Sequence, residues 1–528
     1  MNLTFERIGV ERRAKVDYWV ERAVVDRQNA PAFFGAWKNA PDNIRSKLGM
    51  QRDASTGKVF VFRLMPKNSG LPQPKFPAPY ILKSKKNLYP YQPRSVAHQC
   101  SVLMEHGASL DTSDTGLGKT YVSLSIAREM GLKPCIVCRR VGIAGWARAC
   151  ESLGLKPGFI ANWELMRSGK NPAVDMYRKD FPDGSRELSY TWKLPKGSML
   201  IWDEAHLANN RGTLQNALYE SAIGIYPSLS LSATLADRLE RMEPFVKTVR
   251  AMDSETFRKW AAMRQYVDQY ERTQDISSTD DMKALNKLLF PAYGYRLSYT
   301  DPDVKKFFPD AIHNTEIIQI RKKDEQAQNE LYEHIQRLAA GYQDMAHKAE
   351  KLTAILRYRQ YSEAVKVPAL VELTEMYVKE NKSVAIFVNF RETLDILKKG
   401  WGSKASYIYG GQNDADRELN RKRFHDDKNR IIVCISDSGG QSIDLHDVRG
   451  VHQRVSLICP TYNPIILKQV LGRTRRAGAR TIPIMKLLYA AGTIEESVAS
   501  VVNNKIHTIS ALNDGELCEP DIFKLGVT

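Results

Sequence analysis

The sequence predicts an α/β protein of two lobes, each a mostly parallel sheet covered by helices, with a small N-terminal α+β module. Three observations predict it. Between about residues 83 and 235, apolar runs ("KPCIVCRR", "SMLIWDEAH", "SLSLSATL") alternate with helix-like stretches ("GWARACESLGL", "TLQNALYESAIGI"). Such alternation is the pattern of parallel strands joined by covering helices. A second series runs from about 383 to 512: "SVAIFVNF", "ASYIYGG", "NRIIVCISD", "VSLICP" and "TIPIMKLL". Ahead of both, "PKNSGLPQPKFPAP" (66–79) carries five prolines and reads as an extended connection between domains. At 528 residues the chain also exceeds what one core organises.

The first element, residues 1–82, opens with "MNLTFERIGVERRAKV", read as charged and helical, followed by "GKVFVFRL", which alternates as a strand does. The charged start excludes a secretory signal, and no apolar run is long enough to span a membrane. Residues 1–90 hold 17 Lys/Arg against 7 Asp/Glu, most of the chain's net +17. A concentrated basic excess is the footprint of polyanion binding; a solvated basic face is the bland alternative. The seven scattered cysteines fit a reducing, cytoplasmic compartment, that of a bacterial or phage-infected cell. Cys135 and Cys138 form a C-x-x-C, but on a strand residues three apart face opposite ways, which argues against zinc.

Between the two series the chain reads as helical. Leu331, Ile335, Leu338, Tyr342, Met345, Ala349, Leu352 and Leu356 step by four and three, a narrow seam on one long helix without an internal proline. The expected division is a basic accessory domain over 1–82, a first lobe over 83–300 with a helical extension from 236, a linker and long helical segment over 301–370, a second lobe over 371–515, and a tail over 516–528.

The chemistry starts at "SDTGLGKTYV" (113–122). Gly116 and Gly118 let successive backbone N–H groups turn toward one anion in conformations a Cβ obstructs. Lys119 supplies a mobile charge for β- and γ-phosphates, and Thr120 a hydroxyl for Mg²⁺. Val122, Ile126 and Met130 give the following helix an apolar face, so that its N-terminus is aimed at the phosphates. Ser113 stands where the generic loop has its first glycine. In "LIWDEAHLANN" an apolar strand ends in Asp203 and Glu204, 84 residues after Lys119. Strand ends of such sheets are where ligands bind. Asp203 then partners Mg²⁺, largely through water, and Glu204 orients or deprotonates the attacking water. A helix start rich in acids explains either carboxylate alone, but not both at this place.

"GLGKT", "DEAH" and "SAT" (Ser232, Ala233, Thr234), with "SDSGGQSIDL" (436–445) and "QVLGRTRRAG" (469–478), resemble motifs I, II, III, V and VI of superfamily-two helicases. The resemblance implies two tandem RecA-like lobes binding ATP and Mg²⁺ between them. It makes Arg473 and Arg476 of Q-x-x-G-R-x-x-R arginine fingers acting across the cleft, alongside Lys119, Asp203 and Glu204 as catalytic groups. "LYPYQPRSV" (88–96) is similar to the opening of the Swi/Snf-like branch, where the glutamine, here Gln92, reads adenine; Thr115 and Asp444 complete the implied nucleotide set. "PCIVCRRVGIAGWARACESLG" with Trp146, "FIANWELMRSG", "FVNFRETLDIL" and "GTIEESVASVVNNK" extend the likeness across about residues 86–510, in order. By the same likeness, Arg139, Arg140, Asn162, Asn389, Arg391 and Ser436 contact a nucleic-acid backbone. The implied activity is a DNA-dependent ATPase that translocates on, remodels, branch-migrates or reanneals duplex or branched DNA, as a monomeric motor without sequence preference. Motif III is spelled S-A-T-L where remodeller-type relatives have T-G-T-P. That spelling and D-E-A-H keep an RNA helicase open as the alternative. A nucleic-acid scaffold with weak ATPase is a third reading, and no nuclease constellation supports a restriction motor.

Overall fold

Four antiparallel strands open the described chain: β1 (Glu6–Arg13), β2 (Val16–Val25), β3 (Leu48–Arg52) and β4 (Val59–Pro66), in the order β1-β2-β4-β3. The opening expected to be helical is therefore a strand, and the described part of this module is all β. Its charges stand at opposed register positions across the pair, Glu6 against Arg22, Arg7 against Glu21 and Arg12 against Asp17. The partner strand, "VDYWVERAVV", is rich in β-branched and aromatic residues. The strand expected in "GKVFVFRL" is β4.

The computed structural model describes residues 6–13, 16–25, 48–52, 58–66, 71–180, 186–236, 239–262, 265–267, 273–275, 279–308, 311–340, 345–437, 443–461, 464–493 and 495. Residues 71–90 run extended along the first lobe. Lys83 and Ser84 donate their backbone N–H groups to the Glu129 carboxylate, each at 2.9 Å. This strap delivers the chain to the helix Gln92–His106.

The first lobe contains β5 (Ala108–Asp111), β6 (Lys133–Cys138), β7 (Phe159–Asn162), the hairpin β8–β9 (Val174–Asp180, Arg186–Trp192), β10 (Ser198–Asp203), β11 (Ser228–Leu231), the short pair β12–β13 (Gln265–Val267, Thr273–Asp275) and β14 (Gly294–Tyr295). Six of them form one sheet, β14-β5-β11-β10-β6-β7, and every pairing in it is parallel. Alternate residues feed two cores: Cys135, Val137, Leu200 and Trp202 on one face, Ile136, Cys138, Met199 and Ile201 on the other. Cys135 and Cys138 thus point to opposite faces, as their spacing required.

The second lobe repeats the plan with β15 (Ile312–Ile318), β16 (Ser383–Val388), β17 (Ala405–Ile408), β18 (Ile431–Ile435), β19 (Arg454–Ile458) and β20 (Ile484–Ala490), ordered β15-β20-β19-β16-β18-β17 and again wholly parallel. Its central strand "SVAIFV" is buried at every position, which only apolar or small residues on both faces permit.

Two expectations about the middle of the chain fail. The segment read as a linker contributes β15, so the second sheet begins at residue 312, well before 371. The single long helix is two helices, Lys322–Ala340 and Met345–Ala364, packed antiparallel. Tyr361 donates to Asp324 at 2.9 Å, and the rings of Tyr332 and Tyr358 lie 6.4 Å apart. A 3–4 stripe is equally satisfied by two helices that bury their stripes on each other, and Gly341 between them disfavours a helix interior. Tyr342 of the expected seam lies outside the described residues, as do residues 438–442 of the fifth motif, most of the closing "GTIEESVASVVNNK" and the tail. No helix among the described residues is long and apolar enough to cross a membrane.

Candidate active site

Because each sheet is parallel, whatever follows its strands collects at one edge. After β5, the Asp111 carboxylate accepts from Ser113 N at 2.9 Å and Gln99 Nε2 at 3.0 Å, which turns the chain into the phosphate loop. Gly116 and Gly118 take φ of 87° and 84°, the left-handed region. A Cβ on Gly118 would collide with Gln92 Nε2, and one on Gly116 would meet Arg476 Cδ at 2.6 Å. Gly118 caps the helix Lys119–Glu129, whose first N–H groups face the loop. Lys119 Nζ donates to the carbonyls of Ser113 (2.6 Å) and Asp114 (3.2 Å), and burial lowers its pKa. Gln92 accepts from Tyr89 N and donates to Leu117 O, both at 2.9 Å, so its amide spans strap and loop.

Ser113 acquires a role the sequence did not reveal. Its Oγ accepts from Leu297 N at 2.9 Å. Next to it the buried Asp114 carboxylate accepts from Arg296 (2.9 Å), Ser298 Oγ (3.2 Å) and Tyr299 N (3.0 Å). These partners lie more than 180 residues away, beyond the reach of local pattern.

At the end of β10, Asp203 Oδ2 accepts from Trp146 Nε1 at 2.8 Å. Burial, with the charge of Glu204 second, pushes the Asp203 carboxyl up to about 6. Glu204 adopts φ 55°, a left-handed conformation unusual for a residue with a Cβ. Burial alone would raise its pKa. The hydrogen bond and charge of His206, with Arg139 and Arg473, outweigh that and bring it to about 2. His206 Nδ1 lies 3.3 Å from Glu204 Oε2 and 3.1 Å from Ser232 Oγ, joining the second and third motifs.

The second lobe meets this edge directly. Gln469 Nε2 donates to Glu204 Oε2 at 3.1 Å. A Cβ on Gly472 would overlap Thr115, so the glycine is what lets the sixth motif touch the phosphate loop. Arg473 is 3 % exposed, and burial together with the charge of Arg476 lowers it to about 9. The Nε atoms of Arg473 and Arg476 are buried without a hydrogen-bond partner among the described residues. Two crowded guanidiniums with unused donors form a site for an anion. Asp444 sits opposite: burial raises its pKa, but Arg421, Arg476, His425 and His446 outweigh it and hold the carboxyl below its ordinary value. His425, Asp444 and His446 could each offer one metal-ligating atom within 4.8 Å of the others. Guanidiniums already answer that carboxylate, Arg421 at 3.8 Å, so the cluster is not a natural cation site.

All the residues expected around a nucleotide line one cavity of about 640 Å³ between the lobes: Gln92, Thr115, Gly116, Gly118, Lys119, Thr120, Asp203, Glu204, Asp444, Arg473 and Arg476. The six expected nucleic-acid contacts fall elsewhere and divide. Arg140 and Arg391 are exposed; Arg391 bonds Asp395 at 3.0 Å and stacks 3.6 Å over Tyr409. Arg139 is half-buried and lends its charge to Glu204. Asn162 Oδ1 caps the helix Trp163–Arg167, accepting from Leu165 N at 2.7 Å. Asn389 Nδ2 is turned inward to Glu363 (2.8 Å) and Pro460 O (3.0 Å). Ser436 is buried. Asn389 is thus half-buried and engaged within the second lobe, and the Ser436 hydroxyl is buried. Gln469, His206 and Trp146 were visible in the motifs without a role; Gln469 gains one from a contact between the lobes, His206 and Trp146 from contacts within the first.

The chain is similar to known helicases. Residues 365–478 match the family described as the helicase conserved C-terminal domain. A protein of Acanthamoeba polyphaga mimivirus, named as an ATP-dependent RNA helicase, is 29% identical over 467 residues, covering 82% of this chain and 85% of its own. One from Bacillus subtilis (strain 168), named as an ATP-dependent helicase/translocase, is 22% identical over 517 residues; 88% of this chain is covered, but only 52% of that one, about half its length. The Sulfolobus solfataricus SWI2/SNF2 ATPase core, solved with dsDNA, aligns over 84% of this chain and 96% of its own at 14% identity, with a TM-score of 0.34. Fold, motifs and relatives define a nucleic-acid-dependent ATPase of two tandem RecA-like lobes. The chain is similar to ATP-dependent helicases and translocases, and its motifs carry the spellings of the Swi/Snf-like branch of superfamily two.

Proposed function

We propose that the chain is a Swi/Snf-like motor that uses ATP to translocate on, remodel or reanneal duplex or branched DNA. One observation carries the mechanism: a single cavity is walled by the phosphate loop and carboxylates of one lobe and the arginine pair of the other. Anything that occupies it ties the lobes together, and its hydrolysis loosens them.

In this reading Lys119 exchanges its hold on the Ser113 and Asp114 carbonyls for the β- and γ-phosphates of ATP. Glu204, kept ionised by His206 and steadied by Gln469, orients the attacking water and accepts its proton. Arg473 and Arg476 direct their unused donors at the charge developing on the γ-phosphoryl group. Gln92 and Asp444 flank the nucleoside. The donors suit a hard divalent cation. Thr120 and Asp203 share the cavity wall, and the buried Asp203 carboxyl, raised beside Glu204, is a charge such a cation would stabilise. Bound Mg²⁺ would supply charge neutralisation at the phosphates.

The DNA preference is supported by the "LYPYQ" opening and the Swi/Snf-like motif order. The RNA helicase name of the mimivirus relative favours the other reading. Arg140 and Arg391 are the backbone contacts retained, and the basic residues 1–82 are a further DNA-binding domain. Such contacts make binding indifferent to sequence and steeply salt-dependent. ATP turnover measured with single strands, duplex DNA, forks, four-way junctions and RNA tests this. Duplex or branched DNA should stimulate most, and preferential stimulation by RNA would overturn the DNA reading.

A further inference from the structure

The segment after β14 does more than close the first sheet. Residues 295–299 run beside the phosphate loop and continue the pairing of β14 with β5. Thr112 N donates to Tyr295 O (3.1 Å) and Asp114 N to Leu297 O (3.0 Å), while Leu297 N returns to Ser113 Oγ (2.9 Å). The last residue of this run, Tyr299, donates its hydroxyl to the Thr115 carbonyl at the tip of the loop. Burial raises the phenol's pKa, so it is present as the neutral donor.

The same ring faces the other lobe. The Arg475 guanidinium stacks 4.2 Å over it. Arg475 lies between Arg473 and Arg476, and the Arg476 side chain packs on Gly116, one residue beyond the carbonyl Tyr299 holds. One side chain therefore touches the loop that binds phosphate through its hydroxyl and the arginine segment through its face. Thirteen residues later the chain has become β15 of the second lobe.

We propose that Tyr299 is a positioning residue for ATP hydrolysis that sets the phosphate loop and the arginine pair in register across the cleft. The proposal rests on the cavity being the ATP site. Its hydroxyl fixes the loop in the shape that receives phosphate, and its ring fixes the arginine segment only when the lobes are closed. The two halves of the side chain thus act on different kinetic parameters. The ring also packs on Phe308 at 5.1 Å, in a small core with Leu297 and Val304. A residue serving only that core would change stability without separating KM from kcat.

The test is steady-state ATP turnover of the full chain with saturating stimulating nucleic acid, for Tyr299→Phe, Tyr299→Leu and Arg475→Ala, each checked by thermal melting. Tyr299→Phe keeps the ring and loses one hydrogen bond, so KM for ATP should rise about 3- to 10-fold with kcat within about twofold. Tyr299→Leu removes the cationic contact as well, and kcat should fall about tenfold or more. Phenylalanine thus rescues kcat but not KM. A wild-type KM in Tyr299→Phe, or a kcat within twofold in a folded Tyr299→Leu, overturns the proposal. Should Tyr299→Leu not fold, Arg475→Ala reads the same contact with Tyr299 in place: a fallen kcat at unchanged KM supports the proposal, an unchanged kcat overturns it. Lys119→Ala separates the two layers of the argument. Turnover surviving in it removes the ATP-site reading itself. Turnover lost in it, with the Tyr299 variants unaltered, removes only the role of Tyr299.

Discussion

Exchanging Trp146 for phenylalanine should move the acid limb of the ATPase pH profile upward. In the proposed mechanism Asp203 acts as a carboxylate, so activity is present above its pKa and lost as pH falls through it. In the free protein burial and the Glu204 charge hold that pKa near 6, and the Trp146 Nε1 bond at 2.8 Å is the first of the influences opposing them. A hydrogen bond to a charged group contributes about 1.5–3 kcal/mol, and 1.36 kcal/mol corresponds to one pH unit. Allowing for water entering the space left by the smaller ring, the limb should rise by about one pH unit. The assay is kcat/KM for ATP between pH 5 and 9, which follows the free enzyme's ionisations. Phenylalanine retains most of the apolar packing of Trp146, a member of the core on that face, so the plateau at high pH should stay within a few-fold. A limb that stays in place, or moves to lower pH, would refute the view that this indole stabilises the ionised Asp203.

Two other substitutions probe the frame of the site. Gly118→Ala places a Cβ on the Gln92 amide at a φ of 84° and should weaken nucleotide binding about tenfold in a fluorescent-nucleotide titration, since left-handed backbone costs about 1–2 kcal/mol; unaltered affinity would show that the loop tolerates the side chain. Lys366, 1 % exposed, holds both Glu495 oxygens at 2.7 and 2.8 Å. Lys366→Met strands a buried carboxylate and should destabilise the second lobe by about 3–5 kcal/mol, most of it recovered in the Lys366→Met/Glu495→Leu double variant; equal loss in both, measured by denaturant titration, would contradict an ion-pair origin.

The residues that line the interlobe cavity were legible because their pattern is local. A glycine that must reach φ 87°, a lysine beside it and a carboxylate pair at a strand end are each dictated within a few residues. The central strands were legible for the same reason, being continuously apolar. What escaped depends on distant partners. Nothing near Asn389 announces that Glu363, on the preceding helical hairpin, will take its amide. Nothing near Ser113 announces Leu297, and the two-residue β14 is too short to leave a pattern. The N-terminal strands were hidden by their many charged residues, which suit a solvated helix as well as a strand. The helical seam was read as one continuous helix where the chain forms two, since spacing alone does not tell one helix from two that fold back on each other.

The order of strands in the second sheet carries a consequence for synthesis. The outermost strand, β15, is bonded only to β20, with Ile312 opposite Ile484. A ribosome adding about 5–20 residues per second needs roughly ten to thirty seconds to make that partner after β15 emerges. For the last part of that interval β19 also waits with a bare edge on the side β20 will fill. The first lobe, whose last sheet strand ends at Tyr295, is already complete when that interval begins. The nascent chain therefore carries a finished half and an unfinished one with two open strand edges, and that interval is when it is most exposed to aggregation and most in need of a chaperone.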